Sequence, residues 1–150
     1  MTHLKVGDKA PNFEALDEQG QKVSLSDYAG KKLVVFFYPK ASTPGCTAEA
    51  CNLNDNYDRF KSLGFEILGV SADSAKRQSN FKNKFGFKYP LLADEDKTVI
   101  EAFGVWGPNK FMGREYDGIH RTTFVINEEG IIDDVILKVK TKAHAEQIIE

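Results

Sequence analysis

Two cysteines are the residues of this chain that point most directly to chemistry. Cys46 and Cys51 are the only cysteines among the 150 residues. A small secreted scaffold held together by disulfides would use more of them. Free cysteine is also common as a small buried apolar residue, so the spacing alone leaves a packing role and a reactive role open. The flanking residues must decide between the two.

Cys46 is predicted to lie at the start of a helix that follows a central strand. The apolar run 33–38 is typical of a strand covered on both faces, and Pro39 ends it because proline donates no ladder hydrogen bond. Thr43 fits the N-cap of a helix and Pro44 its first position, which places Cys46 at the third. Free backbone N–H groups and the helix dipole favour negative charge there, so a thiolate would be stabilised.

The helix start alone would not ionise most of this thiol at neutral pH. A free thiol has a pKa near 8.5, so about 3% of it is thiolate at pH 7. Each unit of downward shift in pKa takes about 1.4 kcal/mol, and a helix end supplies about 1–2 kcal/mol. A fixed cation is therefore expected as well. Arg121 is the candidate because it opens a predicted strand that can return to the same sheet edge; an ordinary surface position is the alternative.

The two cysteines cannot form a disulfide while they share one regular helix. Five residues of helix place the two Cα atoms about 8.6 Å apart, whereas a disulfide needs about 4.4–6.8 Å. Either the cysteines never pair, or the first turns unwind when they do. Residues 52–56, Asn-Leu-Asn-Asp-Asn, form helices poorly, which favours a segment that comes apart at low cost. The alternative is that these polar side chains face solvent on a helix held by packing.

The remaining chain alternates strand and helix signals without a linker or a repeat, which predicts a single domain over residues 1–150. Strands are predicted at 13–16 and 22–25 as an N-terminal hairpin, at 33–38, at 65–70, and at 121–127 and 131–139 as a second hairpin. Helices are predicted from Thr43 to Leu63 and over 74–85, 96–103 and 142–150. This order predicts an α/β fold with a central mixed five-stranded sheet flanked by helices on both faces.

Composition excludes several classes of function. Twenty Lys and Arg face 22 Asp and Glu, and the formal net charge of −2 gives no basic field for nucleic acid. The longest apolar run is far shorter than the about 20 residues that cross a bilayer. No signal peptide is recognisable at the start of the sequence. We therefore expect no nucleic-acid or membrane partner and a cytoplasmic protein, unless this is a mature form already cleaved.

The residues around Cys46 resemble a known family. Pro39, Thr43 and Cys46 match the Pro-x-x-x-Thr-x-x-Cys pattern of peroxiredoxins. The longer form Phe-Tyr-Pro-x-x-x-Thr-Pro-Gly-Cys-Thr, with a second cysteine five residues later, resembles the peroxiredoxin Q or bacterioferritin comigratory protein subfamily. Further segments of the chain resemble the same family, at 7–13, 68–73 and 121–126.

This resemblance implies a thioredoxin-like fold that carries a thiol peroxidase. Cys46 would be the peroxidatic cysteine, and Cys51 would resolve it as an intramolecular disulfide. Thr43 and Arg121 would orient the peroxide and stabilise the thiolate, and Pro39 would shape the pocket. The residues matched to supporting positions are Pro44, Gly45 and Glu49.

The same resemblance implies the partners of the reaction. Hydrogen peroxide and organic hydroperoxides would be the substrates, and thioredoxin or a similar dithiol would reduce the disulfide. No metal, haem, flavin or nucleotide is required, so no cofactor is expected. The subfamily indicates a monomer, with a weak dimer as the alternative.

Three other functions are alternatives to a thiol peroxidase. A thiol–disulfide oxidoreductase of the same fold would favour Cys-x-x-Cys, whereas four residues intervene here. A binding or chaperone module would have inert cysteines. A zinc site could combine both cysteines with His120 and His144, but the spacing matches no closed structural site. His120 is predicted beside a strand start and His144 on an exposed terminal helix.

Two further segments carry less specific predictions. A Gly-rich loop is predicted over 104–118, and its residues Trp106, Phe111 and Met112 would border the pocket, fill the core or form a partner surface. The acidic run 94–96 is predicted to be a solvated turn.

Overall fold

The structure of the protein is a computed structural model that describes residues 2–149, apart from the Phe111 side chain. Within this range the strands are β1 (Glu14–Leu16), β2 (Lys22–Ser24), β3 (Lys32–Phe37), β4 (Phe65–Ser71), β5 (Leu91–Ala93), β6 (Trp106–Phe111), β7 (Arg114–Ile119), β8 (Thr122–Ile126) and β9 (Ile132–Ile136). The helices are α1 (Pro44–Asp55), α2 (Tyr57–Ser62), α3 (Ala75–Phe85), α4 (Thr98–Ala102) and α5 (His144–Ile149), with a short 3₁₀ helix at Leu25–Tyr28. Glu150, the predicted end of the last helix, lies outside the described residues.

A mixed five-stranded sheet in the order β5-β4-β3-β8-β9 confirms the predicted centre of the fold. β3 runs parallel to β4 and antiparallel to β8, with Phe37 opposite Thr122. This register brings the beginning of β8 to the edge where β3 ends. The residue that precedes β8, Arg121, therefore returns to the sheet edge from which the chain enters α1.

The side chains of β3 enter two separate apolar clusters, because successive residues of a strand point to opposite faces of the sheet. Val34 and Phe36 pack in the cluster that also contains Cys46, whereas Val35 and Phe37 pack in the cluster on the other face. All five side chains are fully buried. Burial on both faces explains why this strand is a continuous apolar run in the sequence.

Other predicted elements are confirmed with small shifts at their ends. β1 pairs with β2 as the N-terminal hairpin, and β8 pairs with β9 as the second. Helix α3 begins after Ser74, whose hydroxyl oxygen accepts a hydrogen bond from the N–H of Arg77. It ends at Gly86, which adopts the left-handed conformation that glycine tolerates best (φ 68°).

The prediction of a Gly-rich loop over 104–118 is wrong, because most of this segment forms the antiparallel β6–β7 hairpin. Its turn consists of Met112 and Gly113, which both have positive φ angles of 52° and 79°. A two-residue turn with both φ angles positive matches the right-handed twist of the strands that it joins. Methionine is an unusual residue for such a turn, so the sequence gives little sign of it.

One helix boundary differs from the prediction, and one strand is missing from it. The helix predicted to continue to Leu63 is broken at Asn56, where α1 ends and α2 begins. The side-chain amide of Asn56 donates to the carbonyl of Asn52, one turn back in α1. Strand β5, at the edge of the sheet, was not predicted, since it is only three residues long and directly follows Pro90.

The acidic run 94–96 is not simply a solvated turn, because Asp94 is buried. Its carboxylate accepts the N–H groups of Val99 and Ile100 in the first turn of α4, at 3.2 and 2.8 Å. Asp94 thus satisfies two helix donors that would otherwise be unpaired. Separately, none of the described helices is both long enough and apolar enough to cross a lipid bilayer.

We expect Asp94→Ala to lower the free energy of unfolding by about 1–3 kcal/mol, because it leaves two buried N–H groups without an acceptor. Urea unfolding followed by circular dichroism measures this loss. Glu95→Ala, at the neighbouring exposed position, is the matched control. Equal stability of the two variants would contradict a capping role for Asp94.

Candidate active site

Cys46 lies in the first turn of α1 with its side chain fully buried. Thr43 occupies the N-cap in an extended conformation (φ −79°, ψ 155°), and Pro44 begins the helix, as the sequence predicts. The carbonyl of Thr43 accepts the first helical bond from Thr47 at 2.8 Å. The N–H groups of this first turn have no carbonyl partner within the helix, so they offer positive charge beside the sulfur.

The hydroxyl of Thr43 points away from a capping role. It donates to the carbonyl of Lys40 at 2.8 Å, and its oxygen accepts no helix N–H. The preceding residue, Ser42, has a left-handed φ of 67°. The loop is held to the neighbouring strand by Asp73, whose carboxylate accepts the N–H of Ala41 at 2.7 Å. Thr43 is thus carried on a loop fixed from the end of β4.

Arg121 contacts Cys46, so the cation expected from the sequence is placed beside the sulfur. Its Nη2 lies 3.4 Å from Cys46 Sγ, and its Nη1 donates to Glu49 Oε1 at 2.7 Å. Gly45 leaves room for this approach, because a Cβ atom on residue 45 would make a tight contact of 3.2 Å with Arg121 Nη2. Burial acts against the guanidinium charge, but Cys46 and Glu49 together raise the pKa of Arg121.

Glu49 is fully buried one turn beyond Cys46. Burial raises the pKa of its carboxyl to about 7, although the charge and the hydrogen bond of Arg121 act in the opposite direction. Its second oxygen, Oε2, makes no hydrogen bond and lies 3.4 Å from His144 Nε2. Glu49 therefore lies beside Arg121, which is the position that the family resemblance implies for it.

His144 is the site residue that the sequence missed. It was predicted on an exposed helix, but its side chain is fully buried. Nε2 lies 2.7 Å from Thr123 Oγ1, and Nδ1 lies 2.8 Å from Gln147 Oε1. Burial is the main cause that lowers the pKa of His144, and the charge of Arg121 lowers it further, whereas the hydrogen bond to Gln147 raises it. Nothing local in the sequence indicates that α5 packs against α1.

Cys51 is a free thiol that is partly buried five residues beyond Cys46, on the same continuous helix. Burial raises its pKa, and the charge of Asp55 adds to the shift. The polar residues that follow do not simply face solvent. Asn52 accepts the N–H of Ala145 at 2.7 Å and donates to the carbonyl of Lys142 at 3.2 Å, so it holds α1 to the start of α5.

A second asparagine anchors α1 in the same way. The side chain of Asn54 donates to the carbonyl of Gly86 and accepts the N–H of Lys88 at 2.8 Å. Unwinding of the helix must therefore break contacts with two other parts of the chain. These bonds argue against the expectation that residues 52–56 come apart at low cost.

The remaining predicted residues lie around this cluster or away from it. Pro39 and Pro44 are exposed on the two sides of the loop that enters α1. Trp106 packs against the apolar cluster on the opposite face of the sheet and lies under Lys97 Nζ, which is 4.8 Å from its ring centre. Met112 is 88% exposed at the hairpin tip. The prediction for the Phe111 side chain lies outside what the structure describes.

The residues of the rival zinc site do not converge. His144 faces Glu49, whereas His120 Nε2 lies 3.1 Å from the carbonyl of Pro108 in the β6–β7 hairpin. Over residues 2–149 no group of three or more His, Cys, Asp or Glu side chains is arranged to hold a metal ion.

Comparisons with known proteins identify the family of this chain. The sequence matches the AhpC/TSA family over residues 6–135. Peroxiredoxin Bcp of Escherichia coli K12 is 46% identical over 149 residues, which cover 99% of this chain and 96% of the relative. The chain belongs to this family and is a peroxiredoxin. A bcp protein of Haemophilus influenzae is 50% identical over 150 residues, covering 100% of this peroxiredoxin and 97% of that protein.

A solved structure supports the fold as well. The bacterioferritin comigratory protein of Xanthomonas campestris, in a structure that addresses its alkyl peroxide reduction activity, matches with a TM-score of 0.87 and 36% identity. The match covers 99% of this peroxiredoxin and 94% of that chain. The thioredoxin-like peroxiredoxin fold and the Bcp/peroxiredoxin Q resemblance are thereby confirmed.

The raised pKa of Glu49 predicts a specific pH dependence of stability. The folded protein holds the Glu49 proton up to about pH 7, whereas an unfolded glutamate releases it near pH 4.3. The folded state therefore binds more protons between these values, and this contribution to the free energy of unfolding falls as pH rises through 7.

Glu49→Gln should remove this contribution, so the wild-type protein should lose more stability than the variant between pH 4 and pH 8. Urea unfolding across this range measures both slopes. Glu101→Gln, at an exposed position, is the control. Parallel slopes for the wild type and Glu49→Gln would show that Glu49 ionises normally in the folded protein.

Proposed function

We propose that this peroxiredoxin reduces hydrogen peroxide and organic hydroperoxides through Cys46, is resolved by Cys51, and is recycled by thioredoxin or a similar dithiol. The observation that carries the proposal is the buried Cys46 sulfur at a helix start, 3.4 Å from the Arg121 guanidinium. The helix start and the guanidinium both place positive charge beside the sulfur, and the thiolate is the nucleophilic form of cysteine. The alkyl peroxide reduction studied in the Xanthomonas campestris relative supports organic hydroperoxides as substrates.

In the first step the Cys46 thiolate attacks one oxygen of the hydroperoxide. The S–O bond forms as the O–O bond breaks, and the departing oxygen takes a proton and leaves as water or an alcohol. Cys46 becomes a sulfenic acid, the first rung of cysteine oxidation. Arg121 and the backbone N–H of Cys46 would stabilise the charge that moves onto the departing oxygen. The hydroxyl of Thr43, now donating to Lys40, would turn its proton toward the peroxide.

In the second step the Cys51 thiol condenses with the sulfenic acid. The S–S bond forms, the S–O bond breaks, and water leaves. Both cysteines lie on one intact helix, so α1 must unwind before the sulfurs meet. An external dithiol then reduces the disulfide. Pro39 and Pro44 would shape the entrance, and Gly45 and Glu49 would support Arg121.

The setting of the reaction is also part of the proposal. We place it in the cytoplasm, where cysteines are kept reduced, as these two free thiols require between turnovers. We further propose that the chain acts as one domain, as a monomer and without a cofactor, since the first step uses only the residues described above.

Replacing each cysteine should block a different step of the reaction. Cys46→Ser should abolish peroxide turnover, because no nucleophile remains. Cys51→Ser should still consume one equivalent of peroxide and then stop, because the sulfenic acid cannot form the intramolecular disulfide. Peroxide consumption with thioredoxin, together with mass spectrometry of the oxidised protein, measures both outcomes.

Full turnover by either variant would contradict the assigned role. The rival thiol–disulfide oxidoreductase is tested on the same preparations by insulin reduction, which we expect to be negligible for the wild type.

Arg121→Ala should lower the rate constant of Cys46 oxidation by about 10²-fold, as expected when a preorganised donor to a developing anion is removed. Rapid-mixing measurement of peroxide loss in a single turnover gives this rate constant. Arg114→Ala, which removes an exposed arginine in β7, is the matched control and should behave as wild type. Similar rate constants for the two variants would remove Arg121 from the reaction.

A further inference from the structure

The contact between Glu49 and His144 is not used by the proposed reaction. Both side chains are fully buried, and Glu49 Oε2 lies 3.4 Å from His144 Nε2 without a hydrogen-bond partner. A buried carboxylate oxygen with no donor is costly. The position of the protons in this pair therefore needs an explanation.

The hydrogen bonds around His144 determine which ring nitrogen carries a proton. The amide of Gln147 is oriented by two backbone groups, because its oxygen accepts the N–H of Lys140 and its nitrogen donates to the carbonyl of Lys138. Gln147 Oε1 is therefore the acceptor that faces His144 Nδ1 at 2.8 Å. Nδ1 must donate, and in a neutral ring Nε2 is left with a lone pair.

An ionised Glu49 beside a neutral His144 would leave Oε2 without a donor, because Nε2 then carries no hydrogen and its one lone pair can accept from the Thr123 hydroxyl. One proton placed on either atom removes this conflict, since Oε2–H can then face Nε2, or Nε2–H can face Oε2. Nε2 offers one lone pair or one N–H, and the Thr123 hydroxyl at 2.7 Å is its nearer partner, so Glu49 Oε2 at 3.4 Å would share that position with Thr123.

We propose that Glu49 and His144 share one proton at pH 6, and that His144 is a positioning residue which keeps the charge of Arg121 directed at Cys46. This inference rests on the peroxidase function proposed above. With one proton the pair is neutral, and the guanidinium faces the thiolate as its single counter-ion. Without that proton, Glu49 competes with the thiolate for the same positive charge.

The surroundings of Glu49 favour the proton on the carboxyl. The titratable groups that face it are Cys46 on its own helix, Arg121 before β8, His144 on α5, and Tyr89, whose hydroxyl donates to the carbonyl of Ala50. Burial raises the pKa of Glu49 to about 7 and lowers that of His144. The shared proton is then lost as pH rises through about 7.

Two measurements on the folded protein locate the proton without any peroxide turnover. At pH 6, infrared spectroscopy should show the carbonyl band of a buried protonated carboxyl, which Glu49→Gln removes. Nitrogen NMR should show His144 as a neutral ring with its proton on Nδ1. The proposal would be overturned if the wild type and Glu49→Gln showed the same carbonyl band while NMR showed a neutral His144.

The variant His144→Gln tests the positioning role. A glutamine amide can donate to Glu49 Oε2, which stabilises the ionised carboxylate and removes the need for the shared proton. We expect the protonated-carboxyl band to vanish at pH 6 and the rate constant of Cys46 oxidation to fall by about tenfold, the factor that one pKa unit of lost interaction represents. His3→Gln, at an exposed histidine, should behave as wild type in both measurements.

The pH profile separates positioning from a general structural role. The rate constant of the wild type per Cys46 thiolate should decline as pH rises through about 7, and His144→Gln should lack this decline. A wild-type rate and profile in His144→Gln would overturn the proposal. Peroxide turnover that survives Cys46→Ser would refute the proposed function, while the infrared and NMR results would still decide the location of the proton.

Discussion

The site depends on one guanidinium that lies between a buried sulfur and a buried carboxyl. Arg121 offers one nitrogen to Cys46 and another to Glu49, both on consecutive turns of α1. Its planar fork fixes both contacts in one geometry, which the freely rotating donors of a lysine ammonium would not impose. Cys46 and Glu49 are fully buried, whereas the Arg121 side chain is 24% exposed. The guanidinium therefore lies at the boundary between the surface and the interior. Helix α1 and the start of β8 are therefore held in one fixed relation.

The sequence could predict the parts of this site that are encoded locally. The strand before Pro39, the Thr43 cap and the position of Cys46 all follow from neighbouring residues. Arg121 could be suggested only through the topology, and the antiparallel pairing of β3 with β8 shows why the suggestion holds. His144 could not be found this way, because its burial results from the packing of a short terminal helix against α1. No spacing within residues 142–150 contains that information.

The features that the sequence did not predict have related causes. Strand β5 is too short for an alternating pattern, and it forms because β4 offers a free edge. The β6–β7 hairpin depends on positive φ angles at Met112 and Gly113, and only the glycine is a residue type that indicates such an angle. Asp94 lies in an acidic run that looks solvated, but the start of α4 needs its oxygens. In each case the decisive partner lies on another element.

Helix α5 connects the two requirements that the proposed reaction places on α1. The attack on peroxide needs the first turns intact, whereas the disulfide needs them unwound. Asn52 holds α1 to the start of α5, and Glu49 faces His144 at the same interface. Contacts that preserve the reactive geometry therefore also oppose its release, and the stability of this local unit governs how long a sulfenic acid would persist. A longer-lived sulfenic acid is more exposed to a second peroxide, so tighter docking of α5 would favour irreversible oxidation over resolution.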